Sequence, residues 1–312
     1  MKLLSAFMRL IRWPNLVFIA ITQLLFVYCI VHPVFEAAGV VPNISGIYFL
    51  ALAAASVLIA AAGYIINDYF DLNIDRVNKP DKLVVDKIIN RRSVILWHLL
   101  FSLLGVLLSF FVDWLTSARF ITIANLGCVL LLFLYSISLK KKLLSGNVVI
   151  SLLTAWVILV ITWAETSNLL QTIDTGSYTE KITRITFLYA GFAFVISLIR
   201  EVVKDMEDIE GDRRYGCRTM PIVWGINVSK VFVAVWMIVL MAALLIVQFY
   251  VLQFRWWFSA IYCILFVIVP LLLIFRKLFT ARTSADYHQL SSWIKIVMFT
   301  GILSMVFFRI YL

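Results

Sequence analysis

The chain has 312 residues, of which 63% are hydrophobic and only 14% charged, with a formal net charge of +10. A soluble globular domain is about 45–50% apolar and about 25% charged, so a soluble fold is excluded. The basic residues flank apolar stretches and form no solvated face, which leaves a nucleic-acid partner without support.

In chain order, residues 1–12 carry Lys2, Arg9 and Arg12 among apolar residues at helical spacing, with no small-residue cleavage site. They read as an amphipathic helix on the cytoplasmic face and not as a signal peptide. Pro14 suits the first turn of a new helix. Nine apolar stretches follow, at 16–32, 47–66, 94–112, 120–139, 148–166, 183–201, 229–250, 257–275 and 293–311. Each is long enough to cross a hydrocarbon core roughly 30 Å thick. Trp13, Trp114, Trp163, Trp256, Trp257 and Trp293 stand near the ends of these stretches, where interfacial aromatics belong.

With the N-terminus inside, 22 of the 27 lysines and arginines fall on the cytoplasmic side, leaving Arg119, Lys181, Arg184, Arg255 and Arg309 on the other. That asymmetry predicts a cytoplasmic N-terminus and an external C-terminus. The expected fold is all-α: one polytopic membrane bundle of about nine helices over residues 1–312. Its expected location is the cell's inner membrane.

Cys29, Cys128, Cys217 and Cys263 include no CxxC pair, and His32, His98 and His288 have no ligand-spaced partner. Neither a zinc site nor a disulfide framework is suggested. Glu165 and Asp113 read as markers of span ends, and residues 167–182 as an external polar loop.

The acidic residues are more informative. Eleven of 17 lie in two cytoplasmic segments, one holding Asp68, Asp71, Asp75, Asp81 and Asp86, the other Glu201, Asp205, Glu207, Asp208, Glu210 and Asp212. Both contain D-x2-D-x3-D, as Asp68, Asp71, Asp75 and again, 137 residues later, as Asp205, Asp208, Asp212. Positions i, i+3 and i+7 share one helix face, where three carboxylates repel unless a cation lies between them. Both copies follow an even-numbered span and precede basic residues and a proline. That pattern suggests an internal duplication with repeats at about 14–140 and 148–275, plus a ninth span.

Hard carboxylate oxygens suit Mg²⁺, which keeps some waters and is commonly shared with substrate phosphates. Two such faces across a cavity would hold Mg²⁺ around a diphosphate, and nearby cations would take up its remaining charge. Neutralising that charge is what makes diphosphate a leaving group from an allylic carbon.

Asn67-Asp68-x2-Asp71-x3-Asp75 resembles the first signature of the UbiA-type intramembrane prenyltransferases, and Lys204-Asp205-x2-Asp208-x2-Gly211-Asp212 their second. Arg12-x-Pro14-Asn15 and Tyr135-x4-Lys140 are similar to weaker signatures of that family. The resemblance covers the whole chain. It implies a helical bundle around a central cavity, with the prenyl tail along an apolar wall. Asp68, Asp71, Asp75, Asp205, Asp208 and Asp212 would hold diphosphate through Mg²⁺, with Asp68, Asp71, Asp205, Asp208 and Lys204 as the catalytic set. Lys82, Lys140 and Lys204 would contact phosphate directly, Arg76 and Arg200 would assist, and Asn15, Asn67 and Tyr135 would line the pocket.

The second segment is most similar to the branch that transfers a geranylgeranyl chain to a glycerol-phosphate hydroxyl. That branch usually continues with an Arg-Pro pair and a Ser-Gly turn, where this chain reads Lys82-Leu83-Val84-Val85-Asp86-Lys87. Aromatic acceptors of the hydroxybenzoate, dihydroxynaphthoate or homogentisate type therefore stay open. The implied reaction is Mg²⁺-dependent prenyl transfer from an isoprenyl diphosphate to a lipid-soluble or amphipathic acceptor. A transporter would need acidic groups at membrane depth, and a scaffold would not require the matched spacing.

Overall fold

A computed structural model describes residues 2–78, 80, 83–116, 118, 120–167 and 177–311. The described chain is helical apart from turns and one isolated bridge between Val85 and Ile89.

Helix α1 (Lys2–Leu10) buries Ala6 and Leu10, one turn apart, against Ile65 and Leu72 and against Val84, Val85 and Ile89. It leaves Leu3 and Leu4 exposed, as an amphipathic helix at an interface does. The chain then turns sharply at Arg12, which has left-handed φ 52° and ψ 52°, and Pro14 opens α2 (Trp13–Ala37). A π turn at Val27–Val31 relaxes α2 just before Pro33, whose missing N–H cannot continue the ladder. The same device precedes Pro270 in α10 (Trp257–Thr280), with a π turn at Ile264–Ile268.

Helix α3 (Ile47–Asn78) has 32 residues. At 1.5 Å per residue it is ~48 Å long, so its last turns project beyond the hydrocarbon core. It packs on α4 (Arg91–Thr116) through small residues: a side-chain carbon on Gly105 would lie 2.7 Å from Ile59 Cγ1. After α5 (Ile121–Ile137) come α6 (Ser145–Thr166), α7 (Ser177–Glu207) and the short α8 (Ile209–Arg214). Helices α9 (Gly225–Leu252), α10 and α11 (Ser284–Tyr311) complete the bundle.

Eight of these helices are long and apolar enough to span a membrane, and α5, with 17 residues, sits at the short limit. All nine predicted spans are therefore helical. The boundary that moved furthest is the end of α3, which runs on from 66 to Asn78, and α7 begins at Ser177, so 177–182 is helix and not external loop.

Two large apolar clusters hold the bundle. One gathers α7, α9, α10 and α11, and the other joins α2, α3, α6 and the N-terminal end of α7. Leu, Ile, Phe and Val side chains remain exposed around the outside, where hydrocarbon replaces water. The four cysteines are all buried and unpaired. His98 contacts the Ala62 carbonyl at 3.0 Å through Nδ1. Glu165 accepts from the backbone N–H groups of Asn43 and Ile44 at 2.8 and 2.9 Å. Asp113 accepts from Ile121 and Thr122 at the start of α5. The ionisable groups at the span ends remote from the aspartate segments thus fasten loops.

Candidate active site

The projecting end of α3 carries Asn67, Asp68, Asp71 and Asp75 on one face, lining a cavity of about 790 Å³. Asp68 accepts from Arg12 Nη2 at 2.7 Å, and the Arg12 guanidinium lies 5.1 Å from the centre of the Tyr64 ring. Burial works against the Arg12 charge, but Asp68, Tyr64 and Asp75 outweigh it and hold the group above its ordinary range. The left-handed turn at Arg12 is what aims this side chain inward. Left-handed backbone costs a non-glycine residue about 1–2 kcal/mol, and the pair with Asp68 compensates.

One turn along, Lys140 Nζ lies 2.5 Å from Asp71 Oδ1 and donates to Asn67 Oδ1 at 3.3 Å, while Asn67 Nδ2 donates to Asp71 Oδ2 at 2.8 Å. Lys140 sits in a 3₁₀ turn, Leu139–Lys141, just after α5. Gly146 of α6 packs on that turn so closely that a side-chain carbon there would lie 2.7 Å from Lys140 Cα. Lys140 is therefore a site residue as well as part of a basic run.

The second segment enters from α7. Asp205 accepts from Asn147 Nδ2 at 2.8 Å, Lys204 Nζ lies 3.5 Å from Glu201, and Arg200 donates to Glu201 at 3.0 Å. The expectation that Asp205, Asp208 and Asp212 share one helix face is corrected here. The α-helix stops after Glu207, Asp208 adopts φ −95° and ψ 10°, and Asp212 belongs to α8.

Asn78, at the last turn of α3, holds the break. Its Nδ2 donates to the Asp208 carbonyl at 3.1 Å, and its Oδ1 accepts from the Gly211 N–H at 2.8 Å. One amide thus satisfies the Gly211 N–H freed where two helices meet and adds a second donor to the Asp208 carbonyl, which also accepts from the Asp212 N–H at 3.2 Å. The approach requires glycine, because a side-chain carbon at 211 would lie 2.5 Å from Asn78 Oδ1. The far side of the break is tied to α11, with the Glu207 carboxylate 2.9 Å from His288 Nδ1 and the Glu207 carbonyl accepting from Ser284 Oγ.

The cavity receives most of the predicted residues: Asp208 and Asp212 from the break, Tyr135 from α5, Asn15 from α2, and Arg200 and Lys204 from α7. It does not receive Arg76, which is half-exposed and lies 3.4 Å from Asp86. Being one residue beyond Asp75, Arg76 is rotated ~100° off the aspartate face. Lys82 lies outside the described residues. Cys217 also lines the cavity, and burial pushes its thiol up to about 11, which keeps it protonated.

Sequence reasoning passed over Arg12, Asn78, Asn147, Glu201 and Lys295 as site residues. Arg12 stands inside the Arg12-x-Pro14-Asn15 motif, Asn78 lies three residues beyond Asp75, and Lys295 is a cation at the start of an apolar span. Asn147 carries no signal in the sequence.

Among the described residues, no three carboxylates converge closely enough to cage an ion. The cavity nevertheless offers hard oxygen donors from two directions. Mg²⁺ is usually held by one or two carboxylates, waters and substrate phosphates instead of an all-protein cage. The donor set therefore fits a Mg²⁺ that is shared with a bound diphosphate.

Comparison with known proteins agrees with this architecture. A digeranylgeranylglyceryl phosphate synthase from Methanothermobacter thermautotrophicus is 32% identical over 234 residues, covering 74% of this chain and 72% of the relative. A solved structure of digeranylgeranylglyceryl phosphate synthase in membranes superposes with a TM-score of 0.63 at 23% identity, covering all of both chains. A UbiA homolog from Archaeoglobus fulgidus, bound to DMAPP and Mg²⁺, superposes with a TM-score of 0.58 at 14% identity, covering 96% of this chain and 98% of that one. The UbiA prenyltransferase family itself matches across residues 16–301, so this membrane protein belongs to the UbiA prenyltransferase family.

Proposed function

We propose that this prenyltransferase moves a geranylgeranyl group from its diphosphate to the free hydroxyl of a prenylated glycerol phosphate, with Mg²⁺ bound alongside the diphosphate. The observation that carries the reading is the facing of two aspartate segments across one cavity, with Lys140 and Lys204 among the carboxylates. The long-chain donor and lipid acceptor are supported by the synthase names of the relatives. Mg²⁺ is supported by its presence with DMAPP in the Archaeoglobus fulgidus homolog.

Asp68, Asp71 and Asp75 would hold Mg²⁺ from α3, and Asp205, Asp208 and Asp212 from α7 and α8. The metal would supply neutralisation of the diphosphate charge as the allylic C–O bond breaks. The protein's own residues do the rest. Arg12 and Lys140 are ion-paired to Asp68 and Asp71, which places both cations where they would also reach phosphate oxygens of a bound diphosphate. Lys204 and Arg200 contribute from the opposite wall. The electron pair leaves on diphosphate, the acceptor oxygen forms the new C–O bond, and the hydroxyl proton passes to the released diphosphate. Asn15, Asn67 and Tyr135 shape the pocket, and the apolar walls exclude water from the allylic cation.

We place the N-terminus and both aspartate segments on the cytoplasmic side of the inner membrane, on the strength of the Lys and Arg distribution. The two segments would descend from one ancestral unit, with repeats at about 14–140 and 148–275.

Labelled geranylgeranyl diphosphate, offered to the purified protein in lipid together with glycerophosphate-lipid and aromatic acceptors, tests the reading. Label should appear on the glycerophosphate lipid and vanish with excess EDTA. Label on an aromatic acceptor alone would overturn the acceptor, and full activity in EDTA would overturn the metal.

A further inference from the structure

On α11, Lys295 extends into the same cavity and donates to Asn15 Oδ1 at 2.5 Å. No carboxylate of the described residues lies within ion-pair distance of it, whereas Arg12, Arg200 and Lys204 are near enough for their charges to act on it. A lysine placed among cations near the membrane end of a helix is costly unless an anion joins it. The aspartates would be matched by metal, and the diphosphate by that metal with Arg12, Lys140, Lys204 and Arg200, so Lys295 is left over from the handling of diphosphate.

What lies beneath Lys295 suggests the kind of anion. One turn deeper on α2, Phe18 and Ile19 follow Asn15, and one turn deeper on α11, Met298 follows Lys295. These three side chains line both the polar cavity and a second cavity of about 960 Å³, which continues inward past Ile302 and Met305 between α7, α9, α10 and α11. The Lys295–Asn15 pair therefore crowns the mouth of a long apolar chamber. A cation and an amide at headgroup depth, above a chamber lined by hydrocarbon, fit an amphiphile with an anionic head and one long chain. Ser291, on the same stretch of α11, lines the polar cavity and adds a hydroxyl donor for a phosphate.

We infer that Lys295, steadied by Asn15, is the anchoring cation for the acceptor's phosphate, with the acceptor's hydrocarbon chain entering the chamber below. This rests on the reading that the acceptor is a glycerophosphate lipid. The site would select acceptors by charge, separately from the aspartate and metal site that selects the donor.

The test compares wild type, Lys295→Met and Lys295→Arg in full-length protein in lipid. The probes are a monoprenyl glycerol phosphate and the same lipid without its phosphate. Lys295→Met should raise the KM for the phosphorylated acceptor by about 10-fold or more, the scale of one charge-assisted hydrogen bond. It should leave the KM for the prenyl diphosphate within twofold, and Lys295→Arg should restore most of the loss. With the phosphate-free lipid, wild type and Lys295→Met should have the same acceptor KM. An unchanged acceptor KM in Lys295→Met, or a parallel rise in both KM values, overturns the inference while leaving the proposed reaction intact. If the wild type transfers label to no glycerophosphate lipid, the acceptor reading falls and takes this inference with it. Should Lys295→Met not fold, the wild type still decides the matter. The phosphorylated lipid must protect Lys295 from an amine-acylating reagent, read by peptide mass spectrometry, and the phosphate-free lipid must not. Equal protection by both overturns the assignment.

Discussion

Asp68, Asp71 and Asp75 stand on the last turns of an unbroken 32-residue helix, whereas Asp205, Asp208 and Asp212 are divided between two helices by a break at Asp208. The two segments share a spacing but differ in what fixes their geometry. In the first, the backbone hydrogen bonds of α3 set every angle between carboxylates. In the second, the angle between Asp205 and Asp212 depends on a break, and the break is held by a side chain of the first segment, Asn78. The first segment is therefore self-sufficient, and the second takes part of its shape from the first. Matched sequence spacing at two places in a chain does not imply matched local structure. It implies only that the same chemistry has to reach the same cavity.

The largest expected effect comes from removing a carboxylate from either side. Asp68→Ala and Asp205→Ala should each lower prenyl transfer by about 10³-fold, the upper scale for losing one preorganised charge stabiliser. Circular dichroism and membrane insertion should be unchanged. A large loss in one variant and none in the other would mean that the two segments do not act on a common ligand.

Next comes the clamp. Asn78→Ala leaves the Gly211 N–H unpaired and the Asp208 carbonyl with only its bond from the Asp212 N–H, at a cost of about 1–3 kcal/mol. It should lower kcat by roughly 10-fold, the same energy scale read as a rate. Asn78→Asp keeps an acceptor for Gly211 and should lose less. Gly211→Ala should reproduce the Asn78→Ala defect by displacing the Asn78 amide. Full activity in both Asn78→Ala and Gly211→Ala would show that the second segment holds its own shape.

The smallest effect sharpens the comparison from the first segment. Arg76→Ala removes only a half-exposed ion pair with Asp86, worth about 0–1 kcal/mol, and should leave transfer within about twofold. A loss of 10-fold or more would put Arg76 back in the substrate pocket.

Much of this protein is legible in its sequence because a membrane leaves few choices. Backbone polar groups in hydrocarbon must bond internally, so apolar length alone announces a helix, and all nine stretches formed one. Spacing also identified the residues of the cavity, since i, i+3 and i+7 on α3 must share a face whatever packs against it. Adjacency failed where rotation matters: Arg76 neighbours Asp75 in sequence but turns away from it. The tertiary structure alone decided three things. It broke the second segment at Asp208, because the amide that stabilises the break comes from 130 residues earlier. It brought Lys140 onto Asp71, because Gly146 lets α6 press against the turn that holds it. It set Lys295 beside Asn15, 280 residues away. Local periodicity reports which residues share a helix face, and contacts made across such distances arise only when the helices pack together.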